Sequence, residues 1–306
     1  MGTLNRRQFI GTIGAAGAFS ILSGKASKAD EPKIKVGIMG LGGRGRFLTE
    51  RFVQRPDIEI TYLCDVNNRR YAYGREIVAE YQDSQPELTQ DFRDMLNDPD
   101  VDVIVNATPV HWHALSTIMA CQAGKDVYVE KPLSVNPWEG VQMVEAARKY
   151  KRVVQVGCQT RSAPYVQKAM EYVQNGNLGD VHMASVYQIV DWKNNVHNAE
   201  EEPVPEGLTY DLWCGPAPKL PYRPGYWFRD KWDFNVGSIG GDIFHQVDLA
   251  RYILDISFPQ SAFSSGGVYH FNDGREIPDT LSSHFEYDKL IYQIEGAIWA
   301  ANFKKI

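Results

Sequence analysis

The sequence predicts two domains, an α/β domain on a doubly wound parallel sheet and then an α+β domain with a mainly antiparallel sheet. Two rhythms carry this expectation. Over residues 33–156, short apolar runs alternate with amphipathic stretches, as strands alternate with crossover helices. Over residues 157–306, helical stretches give way to consecutive strand-like runs joined by short turns, the way antiparallel neighbours connect. At 306 residues, 43% hydrophobic and 23% charged, the chain is long and apolar enough for two cores and is unlike a disordered segment.

In the first domain "KIKVGIM", "IEITYLC", "VDVIVNA", "DVYVE" and "VVQVGC" read as strands. Their near-continuous apolar character suits a sheet covered on both faces. Residues 43–54, 69–81, 92–96, 113–123 and 138–150 read as the intervening helices. In the second domain residues 165–174 read as a helix ending at "NGNLG", with the strand "VHMASVYQIV" after it. Next comes an aromatic, Pro-rich loop, "DLWCGPAPKLPYRPGYWFRDKWDFN", then a helix over 241–254. "SAFSSGGVYHF", "TLSSHFEY" and "LIYQIEGAIWA" read as strands.

The chain begins differently. Arg6 and Arg7 precede an apolar stretch from Phe9 to Leu22 and then small residues, the layout of an export signal rather than of a membrane span. The paired arginines followed by Gln8, Phe9 and Ile10 resemble the signal of the twin-arginine pathway, which exports folded proteins. Residues 1–29 are therefore expected to be a signal peptide cleaved after Ala29, with an uncleaved anchor as the alternative, and the mature protein to be periplasmic or otherwise exported. Removing them takes away Arg6, Arg7, Lys25 and Lys28 and moves the formal charge from −6 to −10. Such a charge argues against nucleic acid or an anionic membrane as partner, leaving the signal as the membrane link. Cys64, Cys121, Cys158 and Cys214 form no CxxC pair, so neither a zinc site nor a disulfide framework is suggested.

"VGIMGLGGRGRFLTERF" places Gly40, Gly42 and Gly45 in GxGxxG spacing after the first strand and at the start of a helix. Gly40 permits the tight turn, Gly42 lets backbone approach a pyrophosphate, and Gly45 lets helix pack on strand. The second strand ends at Asp65, where a carboxylate accepts hydrogen bonds from the adenosine ribose. Together these predict an α/β Rossmann dinucleotide-binding domain. Asp65 favours NAD, since a carboxylate repels the 2′-phosphate of NADP, while Arg69 and Arg70 keep NADP open. Thr108 and Pro109 tip the next strand, with His111 and His113 just beyond. No cysteine or carboxylate shares that segment, so no metal is expected. The loop is read as lying against the nicotinamide half of the cofactor, with His113 beginning a helix.

The stretch "TPVHWHALSTIMACQAGKDVYVEKPLS" resembles the hallmark segment of the glucose-fructose oxidoreductase, inositol dehydrogenase and rhizopine-catabolism family, Gfo/Idh/MocA. The likeness extends through "QVGCQTR" and "LTYDLWCGPAP" to "HQVDLARY". It implies that Lys131, the lysine of Glu-Lys-Pro, lies beside nicotinamide and a sugar hydroxyl and relays the proton as hydride leaves. The chemistry agrees, because oxidising a secondary alcohol takes a proton from oxygen while carbon gives up hydride. Glu130 is expected near the cofactor, positioning Lys131 or its backbone. In "GGDIFHQVDLARYIL" Asp242 and His245 share a helix face, so the carboxylate can orient the imidazole as a base. The family commonly has its aspartate four before this histidine, whereas that position is Gly241 here. A helix N-cap at Asp242 is the alternative.

Gln159 and Arg161 open the second domain and, in the usual arrangement, face the cleft as hydroxyl binders. The aromatic loop suits the apolar side of a sugar ring or a contact between subunits, and a homo-oligomer is expected. Family members usually continue past the point where this sequence stops. The function read here is an NAD(P)-dependent oxidoreductase acting on a sugar, cyclitol or derivative at a ring carbon. One alternative is an NAD-dependent glycoside hydrolase that oxidises C3 transiently and eliminates the aglycone. The other is a non-catalytic cofactor-binding remnant.

Overall fold

The computed structural model describes residues 32–191, 199–225 and 227–300. The expected signal peptide lies outside the described residues. Among the described residues no helix is long and apolar enough to cross a membrane. The chain forms two compact units. The first takes the chain up to Leu133, then Pro137–Gly157 and Val204–Pro216. The second takes Ser134–Asn136, Cys158–Pro203 and the chain from Ala217 onward.

The first unit is a six-stranded sheet of β1 (Ile34–Met39), β2 (Ile58–Cys64), β3 (Glu87–Thr89), β4 (Val103–Asn106), β5 (Asp126–Val129) and β6 (Val154–Val156). Its order is β3-β2-β1-β4-β5-β6, and every pairing is parallel. Helices α1 (Gly43–Val53), α2 (Tyr71–Ala79), α3 (Arg93–Asn97), α4 (His113–Gln122) and α5 (Pro137–Lys149) connect the strands. Apolar side chains feed two cores. Val36, Ile38, Val103 and Val105 enter one with Leu48 and Phe52 of α1. Met39, Ile104, Val127 and Val129 enter the other with Met95, Ala120 and Met143. The β1–β2 register shifts between Val36 and Gly37, skipping Thr61. That extra residue lets Ile60 and Leu63 both reach the first core.

Strand order reverses between β1 and β4, and the crevice at such a reversal is where parallel sheets bind ligands. The three-residue β3 was not anticipated. It follows Pro86, a residue that donates nothing to a ladder and hides an edge strand from propensity.

In the second unit β7 (Met183–Ile189), β8 (Ser261–Gly267), β9 (Thr280–Glu286) and β10 (Ile291–Ala297) form a sheet in the order β7-β10-β9-β8. The β8–β9 and β9–β10 pairs are antiparallel, as expected, whereas β10 runs parallel to β7. Three other helices follow in chain order: α6 (Pro164–Gln174), α7 (Tyr210–Cys214), which belongs to the first unit, and α8 (Gly237–Leu254). Ile239 and Ile243 of α8 join Tyr292, Ile294 and Ile298 in this unit's core. A side chain at Gly296 would sit 2.7 Å from Ile239, so this glycine sets how closely helix and strand pack. Helix α8 starts four residues before the expected position, with Gly237 at φ 80° turning the chain in. Gly240 and Gly241 look like breakers in sequence, but burial of Ile239 outweighs their propensity cost.

Candidate functional site

The glycine turn follows directly from β1. Gly40 has φ 89°, and a Cβ there would meet the Ala107 carbonyl oxygen at 2.8 Å. At Gly45 a Cβ would lie 1.7 Å from the Gly40 carbonyl oxygen, so α1 reaches its position only without a side chain. Gly42 is the N-cap of α1 and offers no side chain to cap the first-turn amides. A Cβ on Gly42 would meet one described neighbour, Arg70 Nη1, at 3.4 Å. An uncapped helix start with open backbone is a pyrophosphate cradle, so these residues fit a dinucleotide.

Asp65 is buried at the end of β2. Its Oδ2 accepts from Leu41 N–H at 2.7 Å and its Oδ1 from Asn67 N–H at 2.8 Å. Arg70 Nη1 approaches Oδ2 at 3.4 Å. The carboxylate is thus tied to the glycine turn itself, and with about four acceptor positions it keeps capacity for a ribose hydroxyl.

At the end of β4 the buried Asn106 organises the next turn. Its Nδ2 donates to Ser116 Oγ at 2.7 Å, and its Oδ1 accepts from Thr108 Oγ1 at 2.7 Å. Pro109 precedes a short 3-10 turn, Val110–Trp112. His113, expected among the cofactor contacts, sits at the start of α4 against two backbone carbonyls. Its buried ring has Nδ1 2.7 Å from the Pro132 carbonyl oxygen and Nε2 2.9 Å from that of Thr108. Burial pushes the imidazole's pKa down, against the two carbonyls, which raise it. Each ring nitrogen thus lies within hydrogen-bonding distance of a backbone carbonyl, and His113 links the two strand-end turns. His111 is likewise buried, with Nε2 2.9 Å from the Trp213 carbonyl oxygen.

Glu130 is buried immediately after β5. Its Oε1 accepts from Arg44 Nε at 2.7 Å and from Tyr128 Oη at 3.3 Å. Its Oε2 accepts from the Lys131 amide at 3.2 Å. Gly157 presses on it so closely that a Cβ would stand 2.8 Å from Oε1. Burial first, and then the Glu130 charge, push the Tyr128 hydroxyl's pKa up. The charged partner, Arg44, was not among the expected site residues. Its signal was present, since a cation in a helix's first turn opposes the macrodipole and so calls for an acidic partner.

Residues 204–216 fold onto the first unit, which sequence reasoning missed. Asn68 N–H donates to the Gly207 carbonyl and Thr209 N–H to that of Val66, beside Asp65. Trp112 Nε1 donates to the Leu212 carbonyl at 2.8 Å, and Trp213 stacks on Tyr210. The segment is therefore pinned at the ends of both β2 and β4.

The second unit carries the other expected residues. Gln159 is exposed on a 3-10 turn, Gln159–Ser162. Arg161, expected to bind hydroxyls, donates Nε to Asp248 Oδ2 at 2.6 Å and lies over the Tyr252 ring. Its hydrogen bond to Asp248 raises its pKa. His245 and Asp242 lie well inside α8, so Asp242 is not the N-cap; that place belongs to Val236. Asp242 Oδ2 accepts from Gln188 Nε2 at 3.3 Å, and Gln246 reaches the same Gln188. In the aromatic loop, buried Trp227 packs edge-on against Phe234 as a core anchor. Among the described residues no cluster of His, Cys, Asp or Glu is arranged to hold a metal.

Residues 34–158 match the profile described as oxidoreductase family, NAD-binding Rossmann fold. Residues 163–261 match that of the same family's C-terminal alpha/beta domain. An uncharacterized oxidoreductase, YrbE, of Bacillus subtilis (strain 168) is 30% identical over 225 residues, covering 72% of this chain and 54% of the relative. A glycosyl hydrolase family 109 protein of Stenotrophomonas maltophilia (strain K279a) is 27% identical over 198 residues, 61% of this chain and 43% of its own. The chain spans about half the length of these curated relatives. A solved levoglucosan dehydrogenase in complex with NADH shares the fold, with TM-score 0.68, 20% identity and coverage of 88% of this chain and 68% of that one.

Proposed function

This chain belongs to the Gfo/Idh/MocA oxidoreductase family, and from that membership we propose an NAD-dependent oxidoreductase that moves hydride at one ring carbon of a sugar, cyclitol or derivative. The observation that carries this reading is the Arg44–Glu130 ion pair at 2.7 Å. It ties the first turn of the glycine-loop helix to the turn that bears Lys131, as an alcohol dehydrogenation needs. The backbone of Gly40, Gly42 and Gly45, with Asp65, Thr108 and Pro109, would hold the dinucleotide, whose nicotinamide supplies the hydride acceptor. Lys131 takes the hydroxyl proton through its Nζ, and His245 serves as acid or base, with Asp242 in support. Gln159 positions substrate hydroxyls. The likeness to a levoglucosan dehydrogenase supports a carbohydrate substrate. Export by the twin-arginine route belongs to the same proposal.

A second reading is favoured by the relative named as a family 109 glycosyl hydrolase: oxidation at C3, loss of the C2 proton as the C1 aglycone leaves, addition of water across the resulting C1–C2 double bond, then re-reduction at C3, with no net change in cofactor. One assay separates the two. The purified chain is examined for nicotinamide fluorescence and then offered free sugars and aryl glycosides. Persistent reduction of bound NAD supports the dehydrogenase, and aglycone release without it supports the hydrolase. Lys131→Ala is expected to lower turnover by about two to four orders of magnitude while sparing NADH binding. Turnover unchanged in that variant would remove Lys131 from the relay.

A further inference from the structure

Glu130 and Arg44 stand 86 residues apart in sequence, yet they form a junction between two turns that the proposed reaction uses together. Glu130 is 4% exposed, and its described partners are Arg44, Tyr128 and the Lys131 backbone amide. The two carboxylate oxygens divide the work. Oε1 faces Arg44 and Tyr128, and Oε2 takes the amide of Lys131. A carboxylate buried this deeply needs a charged donor to hold it, and the Arg44 guanidinium, with its planar donor set, fixes the orientation as well as the charge. Gly157 closes the remaining side of the carboxylate, where a Cβ would stand 2.8 Å away. The second brace, His113, holds the Pro132 carbonyl at 2.7 Å. The Lys131-Pro132 unit is thus gripped from both of its neighbours.

We propose that Arg44 is a positioning residue for Lys131: it fixes the Glu130 carboxylate, and that carboxylate orients the Lys131 backbone from which the side chain projects. This rests on the reading of Lys131 as the proton relay. Although Arg44 lies in the turn that faces the pyrophosphate, its main effect is on the lysine and not on dinucleotide affinity.

The test needs no substrate, so it stands apart from whether dehydrogenation is found. In the full chain labelled with 15N-lysine, hydrogen exchange is followed at the Lys131 amide, assigned by Lys131→Arg. The Lys125 amide, which donates to the Ala120 carbonyl at 2.9 Å, is the internal control, and NADH affinity is read by fluorescence. In Arg44→Gln the Lys131 amide should exchange at least about tenfold faster relative to Lys125, with NADH affinity within about threefold. Arg44→Lys, which keeps the cation, should recover most of the protection. Equal acceleration of both amides would make Arg44 a general brace and overturn the proposal. So would an unchanged Lys131 amide with lost NADH affinity. Should Arg44→Gln fail to fold, the comparison moves to Glu130→Gln with and without Arg44→Gln. If Arg44 acts through Glu130, its removal there changes Lys131 exchange less than about twofold, and a larger change overturns the idea.

Discussion

The two units solve the same problem, a sheet that must be covered, in opposite ways. In the first, both faces are buried: β4 is buried at every residue, and apolar side chains alternate between two cores. In the second, helix α8 covers one face, and β8 is almost wholly exposed, with the sequence SAFSSGG. The first unit therefore has no slack at its backbone crossings, while the second concentrates its order in α8, in β10 and in one buried charged cluster. There Arg275 pairs with Asp273 at 2.6 Å and approaches Asp230 at 3.4 Å. A unit closed on both sides should fail through sterics, and one closed on a single side through its few buried polar ties.

The largest effect is expected where that contrast is strongest, in the first unit. Gly45→Val puts a branched side chain against the Gly40 carbonyl, where even a Cβ would stand at 1.7 Å. It should cost more than about 4 kcal/mol and abolish NADH binding, as seen by urea denaturation and fluorescence titration. A stable variant that binds NADH would show the glycine turn to be more compliant than its geometry implies.

Next comes Arg275→Met in the second unit, which leaves the buried Asp273 and Asp230 without their shared cation. A loss of about 3–5 kcal/mol is expected. It should be measured by denaturation with NADH binding followed in parallel; if the two units unfold separately, affinity survives the first transition.

Asp279 gives a smaller effect that depends on pH. Burial raises its pKa, but amide donors from Phe271, Tyr269 and His270 and the Thr280 hydroxyl together hold it below the ordinary carboxylate value. A depressed folded pKa gives stability that is fully present above the unfolded value of about 4 and is lost as pH falls through the folded one. Asp279→Asn turns one acceptor into a donor facing those amides and should cost about 1–3 kcal/mol at neutral pH. The gap between wild type and variant should narrow on acidification below about pH 4. A constant gap from pH 7 to pH 3 in thermal melts would contradict this.

The smallest effect belongs to the open sheet face. Phe263, on β8, is 67% exposed, so Phe263→Ser should change stability by no more than about 0.5 kcal/mol. A larger loss in a melt would mean that this face is covered in solution, and the contrast between the units would weaken.

Legibility followed sequence distance. The strands β1, β2, β4, β5 and β6 declared themselves because each is a local apolar run, and Gly40, Gly42 and Gly45 because their roles are set within six residues. The Glu130-Lys131 turn was placed at a strand end for the same reason. Pairings over long separations were not legible. Arg44 meets Glu130 across 86 residues, and Trp112 meets Leu212 across 100. The partners of His113 were not legible either, since only the fold shows its two ring nitrogens turned to the Pro132 and Thr108 carbonyls. Asp242 was offered as an N-cap because the helix was expected to begin at about Gly241, whereas it begins at Gly237 with Val236 as its N-cap.

The segment Val204–Pro216 has a consequence for synthesis. It completes a unit whose other parts end at Gly157, so a ribosome must deliver Cys158–Pro203, which belong to the other unit, before the first can close. The two units are thus interleaved in time as well as in sequence, and nascent chains that end between Gly157 and Pro203 carry all six strands without the piece that pins the ends of β2 and β4. A fragment cut after Gly157 inherits the same deficit permanently, whereas one that runs to Pro216 contains every segment of the first unit.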